Sequence, residues 1–208
     1  MTRHNVAECR ISLSKLSLFR KNNADRFSSI GWTIDKGYPK LITYINGSDK
    51  SVTGRDNMII APLSFMVLNT IVSAMEDIYG GKPDNSLEVK CYGHKWENNA
   101  RSNDIEMQAT IVIGKDEKGI NYIETRAVNK PNMRFNLVTP DKYYKIMKDG
   151  VDITNTAEGS NLFSKSYVKQ LSHVINIIAN DSNVIQVIDR PTINTSNGTS
   201  SDELKSLI

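Results

Sequence analysis

The chain is poor in the residues that most often build an active site. Its 208 residues include two cysteines, Cys9 and Cys91, and three histidines, His4, His94 and His173. Two cysteines are too few for a disulfide framework, and MTRHNVAECR lacks the apolar core of an export signal. Both thiols are therefore expected reduced, in a cytoplasm. No histidine stands four residues from another or beside a cysteine pair, which excludes the common zinc spacings; neither metal nor cofactor is expected. The glycine-rich loops that cradle phosphates are missing, and so is any motif that presents a nucleophilic serine. No run of about 18 apolar residues occurs, so no membrane-crossing helix is expected. Asp104 and Glu106 share a strand face, but beside a polar loop they read as a solubilising edge rather than a catalytic pair. These absences point away from an enzyme.

Charge is present but unevenly spread. The formal net charge is +3. Residues 1–60 carry ten Lys or Arg against five Asp or Glu, whereas residues 181–208 carry two cations against four acids. A basic body with an acidic tail suits a polyanionic partner and a segment able to compete with it.

The stretch Ser86 to Trp96 is the most informative. With a period of two, Leu87, Val89, Cys91 and Gly93 point one way, and Lys90, Tyr92, His94 and Trp96 point the other. One face of such a strand is apolar, and the other alternates rings with cations. Bases can stack on rings while lysine neutralises phosphate, so this face suits a single-stranded polyanion.

Further strands are predicted over residues 10–19 (with a bulge near Lys15), 27–34, 40–45, 57–61, 105–113, 120–127 and 133–137. A helix is expected over 62–79, opened by Pro62 and closed by Gly80-Gly81. A short helix is expected from Thr139-Pro140-Asp141 to Met147, stopping at Gly150, and a third from a Ser164 cap to residue 180. The pattern is four strands and a helix, twice, entered each time through a proline. It predicts an α+β protein with two antiparallel four-stranded sheets, each followed by helix. The units are expected at 1–81 and 82–180, with a flexible acidic and polar tail at 181–208. Apolar helices make a homo-oligomer the expected state.

This order resembles the positive-cofactor-four-like (Whirly-type) single-stranded DNA-binding fold, in which a curved four-stranded sheet is followed by a helix that mediates dimer packing. The tail, with Asp202 and Glu203 ahead of Leu204, Leu207 and Ile208, resembles the C-termini of single-stranded DNA-binding proteins, phage ones included. The resemblance implies non-sequence-specific binding of single-stranded DNA, with RNA as the other candidate, in replication or transcription, in the cytoplasm of a cell or of a phage's host. The tail would recruit a replication or transcription protein. By strand position and chemistry, the residues fitting such a surface are Arg10, Lys15, Arg20, Lys21, Trp32, Lys40, Tyr44, Lys90, Tyr92, His94, Trp96, Tyr122, Arg126 and Arg134. Trp32 has a second reading as a core anchor, because Ile30 and Ile34 share its face. The alternative function is a non-catalytic protein–protein adaptor whose tail recruits a partner.

Overall fold

A computed structural model describes residues 10–12, 16–23, 26–35, 38–45, 57–81, 85–97, 100–139 and 144–180. The protein is α+β with antiparallel sheets. Strands β1 (Arg10–Ser12), β2 (Leu18–Asn23), β3 (Arg26–Asp35), β4 (Tyr38–Tyr44) and β5 (Met58–Pro62) form the first sheet. Helix α1 (Phe65–Gly80) follows. Strands β6 (Ser86–Glu97), β7 (Ala100–Lys115), β8 (Asn121–Arg126) and β9 (Met133–Asn136) form the second sheet in that order. A small hairpin, β10 (Met147–Lys148) with β11 (Val151–Asp152), precedes helix α2 (Ala157–Asn180).

The expected repeat of four strands and a helix is not clean. Strands β1 and β2 share one edge of β3: Ser12 pairs with Thr33, but Leu18 pairs with Ile30. The register therefore differs between the two strands, and Leu18 lies on the buried face; Lys15, near which the bulge was expected, lies outside the described residues. The second unit carries an extra hairpin, which takes Met147, the expected end of the short helix; residues 140–143 of that expected helix lie outside the described residues. Asp149 and Gly150 both have positive φ, 50° and 80°, the geometry of a two-residue hairpin turn.

Two helix starts also differ from expectation. Pro62 ends β5, pairing with Lys40 on an edge strand where its missing N–H costs no ladder bond. Ser64 caps α1 instead, its Oγ accepting from the Val67 amide at 3.2 Å. Ser164 is no cap either. It is buried inside α2 and its Oγ donates to the Ser160 carbonyl at 2.7 Å. Thr156 caps α2, its Oγ1 accepting from the Gly159 amide.

The 1–81 and 82–180 units contribute to one hydrophobic core. Ile30, Trp32, Leu41 and Ile59 of the first sheet meet Ile111, Ile113, Ile123 and Phe135 of the second, with Ile71, Met75, Leu171 and Ile175 of the helices filling the remainder. Buried hydrogen bonds cross the halves. Thr43 and Thr125 hydroxyls lie 2.8 Å apart, and Tyr79 Oη donates to the Tyr122 carbonyl. Burial pushes the Tyr79 hydroxyl well above its ordinary pKa, which keeps it a neutral donor. Lys115, buried at the end of β7, donates from Nζ to the Tyr79 and Gly81 carbonyls at the C-terminus of α1.

Candidate nucleic-acid interface

The core claims one face of the second sheet, so its other face is set by alternation. On β6, Leu87, Val89 and Cys91 turn inward, and Glu88, Lys90 and Tyr92 turn outward. Burial pushes the Cys91 thiol up to about 11, so it is an inert core group. Register places three rows on the outer face. Lys90, Thr110 and Arg126 form one; Glu88, Val112, Glu124 and Arg134 the next; Ser86, Gly114, Tyr122 and Asn136 the third.

Glu124 organises the middle of this face. Arg126 Nε donates to its Oε1 at 2.6 Å, and Arg134 Nε donates to its Oε2 at 2.7 Å. Burial pushes the Glu124 carboxyl up, but the two arginine hydrogen bonds outweigh that and hold it below the usual range. The carboxylate thus fixes two guanidinium groups that remain about two-fifths exposed. Arg134 also lies 4.0 Å from the centroid of the Tyr122 ring. That ring rests on Gly114, where an added Cβ would come within 2.5 Å of the hydroxyl. Glu88 joins the cluster, 3.7 Å from Arg126 and 3.6 Å from Lys90. Glu124 was missed in the sequence reading, because an outward acid on a strand looks the same whether or not it holds two arginines.

Beyond β8 the β6–β7 pair continues as a two-stranded ribbon. Residues of β7 before Thr110 pair with β6 alone, and the ladder slips one residue between Cys91 and Tyr92. The residues just before Asp104, expected in a polar loop, belong to β7, which begins at Ala100. The slip puts Tyr92 opposite Met107 and His94 opposite Ile105. Tyr92 is 58% exposed and Ile105 67%. His94 is half-buried, its Nδ1 2.9 Å from the Ser102 carbonyl oxygen.

The sequence-derived residues therefore separate. Lys90, Tyr92, Arg126 and Arg134 come together on the outer face, with His94 further along the ribbon. Arg20 is exposed on β2 and, with Phe19, Arg134, Asn136 and Val138, lines a recess of about 460 Å³ between the sheets. Phe19, 58% exposed, was also missed, since the alternation of the first strand is interrupted ahead of it.

Two expectations are corrected. Trp32 is 3% exposed, and its Nε1 donates to Tyr167 Oη at 2.8 Å, so it is the core anchor and no stacking platform. Tyr122 points outward but is 8% exposed, its ring covered by Arg134. Lys40 and Tyr44 are half-buried on β4 of the first sheet, and Lys40 lines a recess with Met107 and Gln108 of β7. For Arg10, Lys21 and Trp96 only the main chain is described, in β1, β2 and β6. Lys15 and the tail residues Asp202, Glu203, Leu204, Leu207 and Ile208 lie outside the described residues.

Among the described residues, no helix is long and apolar enough to cross a membrane, and no three His, Cys, Asp or Glu side chains gather as a metal site. No protein-family model, curated protein or solved structure matches the chain.

Proposed function

We propose that the protein binds single-stranded nucleic acid, without sequence specificity and without catalysis, on the outer face of the second sheet. The observation that carries this reading is the bare Tyr92 ring beside Lys90, one row from the Arg126–Glu124–Arg134 cluster. A ring with an open face offers stacking worth about 1–3 kcal/mol per base to any base, while cations neutralise the backbone. Guanidinium groups held by a buried carboxylate present their charge with little left to order on binding. The face spans three strand spacings, roughly 14 Å, and the Phe19–Arg20 recess extends it toward the first sheet. Two antiparallel sheets, each followed in the chain by a helix, support the likeness to the positive-cofactor-four-like fold, and with it an oligomer acting on exposed single strands in replication or transcription.

Titration of a thymidine oligonucleotide and a duplex of equal length at two salt concentrations tests this. Tighter binding of the single strand, weakening as salt rises, supports the reading; equal or absent binding overturns it. Exposed Met66, Leu162 and Ile177 on the two helices favour the protein–protein adaptor as the second reading.

A further inference from the structure

The outer surface does not stop at the second sheet. Strand β2, at an edge of the first sheet, lies beside β9, the last strand of the second. On β9, Met133 and Phe135 are buried while Arg134 and Asn136 are exposed; on β2, Leu18 is buried while Phe19 is exposed. Alternation thus turns side chains of both strands outward at the junction, where Phe19, Arg20, Arg134, Asn136 and Val138 line the recess of about 460 Å³. A volume of this order suits a small ligand group, and the lining says which. Phe19, 58% exposed, offers an aromatic ring. The Asn136 amide can both donate and accept. Arg20 is exposed, and Arg134 is held by Glu124 and by the Tyr122 ring. Among the described residues that line the recess there is no carboxylate to oppose these two cations. A ring for stacking, an amide for a base edge and two guanidinium groups for phosphate describe a site for a nucleotide.

We infer that the Phe19 recess is a second base-stacking subsite, at the opposite end of the outer surface from Tyr92. The inference rests on the sheet-face reading and deepens it, because it fixes the ligand as a strand of several nucleotides gripped at two rings. Tyr92 stands on β6 and Phe19 on β2, with Arg126 of β8 and Arg134 of β9 between them. From β6 to β9 alone is three strand spacings, roughly 14 Å, and Phe19 lies beyond β9. Stacked bases are only about 3.4 Å apart, so a lone nucleotide meets one ring and only a strand meets both. Once one base is stacked, the linking nucleotides hold another at a high effective concentration near the second ring, so two weak subsites act as one tight site. The arginines between the rings neutralise the backbone that joins the two bases.

Titration of the full-length chain with a thymidine oligonucleotide of about 15 nucleotides tests it. Phe19→Leu, which keeps an apolar side chain without the ring, should weaken binding by about 5- to 150-fold, and Phe19→Tyr should bind as wild type does. In a chain that also carries Tyr92→Ala the two losses should multiply, as expected when both rings hold one strand. Arg20→Ala should lower the logarithmic salt slope by about 0.7. Phe19→Leu that binds as tightly as wild type, while Tyr92→Ala binds more weakly, overturns the inference and leaves the sheet-face reading standing. Equal losses in Phe19→Leu and Phe19→Tyr also overturn it, because the ring is then not what binds. So does a lower sedimentation mass of Phe19→Leu without oligonucleotide, which assigns the recess to contact between copies of the chain. A wild-type chain with no preference for the single strand over a duplex removes both readings.

Discussion

At Cys91 and Ile111 the β6–β7 pair is a core element, flanked by β8 and backed by the helices. A few residues further along, at His94 and Ile105, the same pair is a two-stranded ribbon with water on its outer side. Composition separates the ends in part, since Thr110 to Ile113 are all β-branched whereas Ser102 to Gln108 are mostly polar. The third strand completes the difference. Where β8 pairs with β7, inward side chains are sealed and outward ones are organised by Glu124; where β8 ends, side chains such as Tyr92 stand free. The two tyrosines show the contrast on one face: Tyr122 lies beneath Arg134 over Gly114 and is 8% exposed, whereas Tyr92 is 58% exposed.

Cavity formation gives the largest expected difference. Ile113→Ala, fully buried, should cost about 2–5 kcal/mol in chemical denaturation, while Ile105→Ala should change stability by roughly 0.5 kcal/mol or less. Equal losses would mean that the ribbon is packed as tightly as the sheet. Tyr92→Ala should weaken binding of a thymidine oligonucleotide by about 1–3 kcal/mol with stability unchanged. Tyr122→Phe, which keeps the covered ring, should leave that affinity as it was. A reversed ranking would move the platform from the ribbon to the sheet.

Glu124→Gln is expected to cost about 1–2 kcal/mol of stability, from one charged acceptor shared by two half-exposed arginines. The folded carboxyl has its pKa below the ordinary value, so its contribution is present above the usual carboxylate range and lost as pH falls through the depressed value. Denaturation midpoints across the acid range should therefore converge for Glu124→Gln and wild type at low pH. A constant gap would remove the carboxylate from the account. The smallest effect belongs to Lys90→Ala, which should reduce the logarithmic salt slope of single-strand binding by about 0.7 for one lost phosphate contact.

Much of the fold is legible in the chain, because period-two alternation and turn residues carry strand positions directly. Leu87, Val89 and Cys91 face inward as read, and α1 ends at its glycine pair. What alternation cannot convey is which neighbour a side chain meets. Trp32 and Tyr122 occupy ring-bearing strand positions like that of Tyr92, yet Tyr167 claims one and Arg134 covers the other. Competition between local signals accounts for the remaining differences. Pro62 suits a first helical turn and an edge strand equally, and Ser64, a better cap, decides between them. Asp149-Gly150, a strong hairpin pair, sets Met147 in a strand where a helix was expected to end.

The central claim is that the Tyr92 ring receives bases. Photo-cross-linking of a bound thymidine oligonucleotide, with the adduct mapped by peptide mass spectrometry, tests it most directly. Adducts should fall on the peptide containing Tyr92 and be lost in Tyr92→Ala. Adducts confined to the helices or to the first sheet, from a complex shown to form, would contradict it.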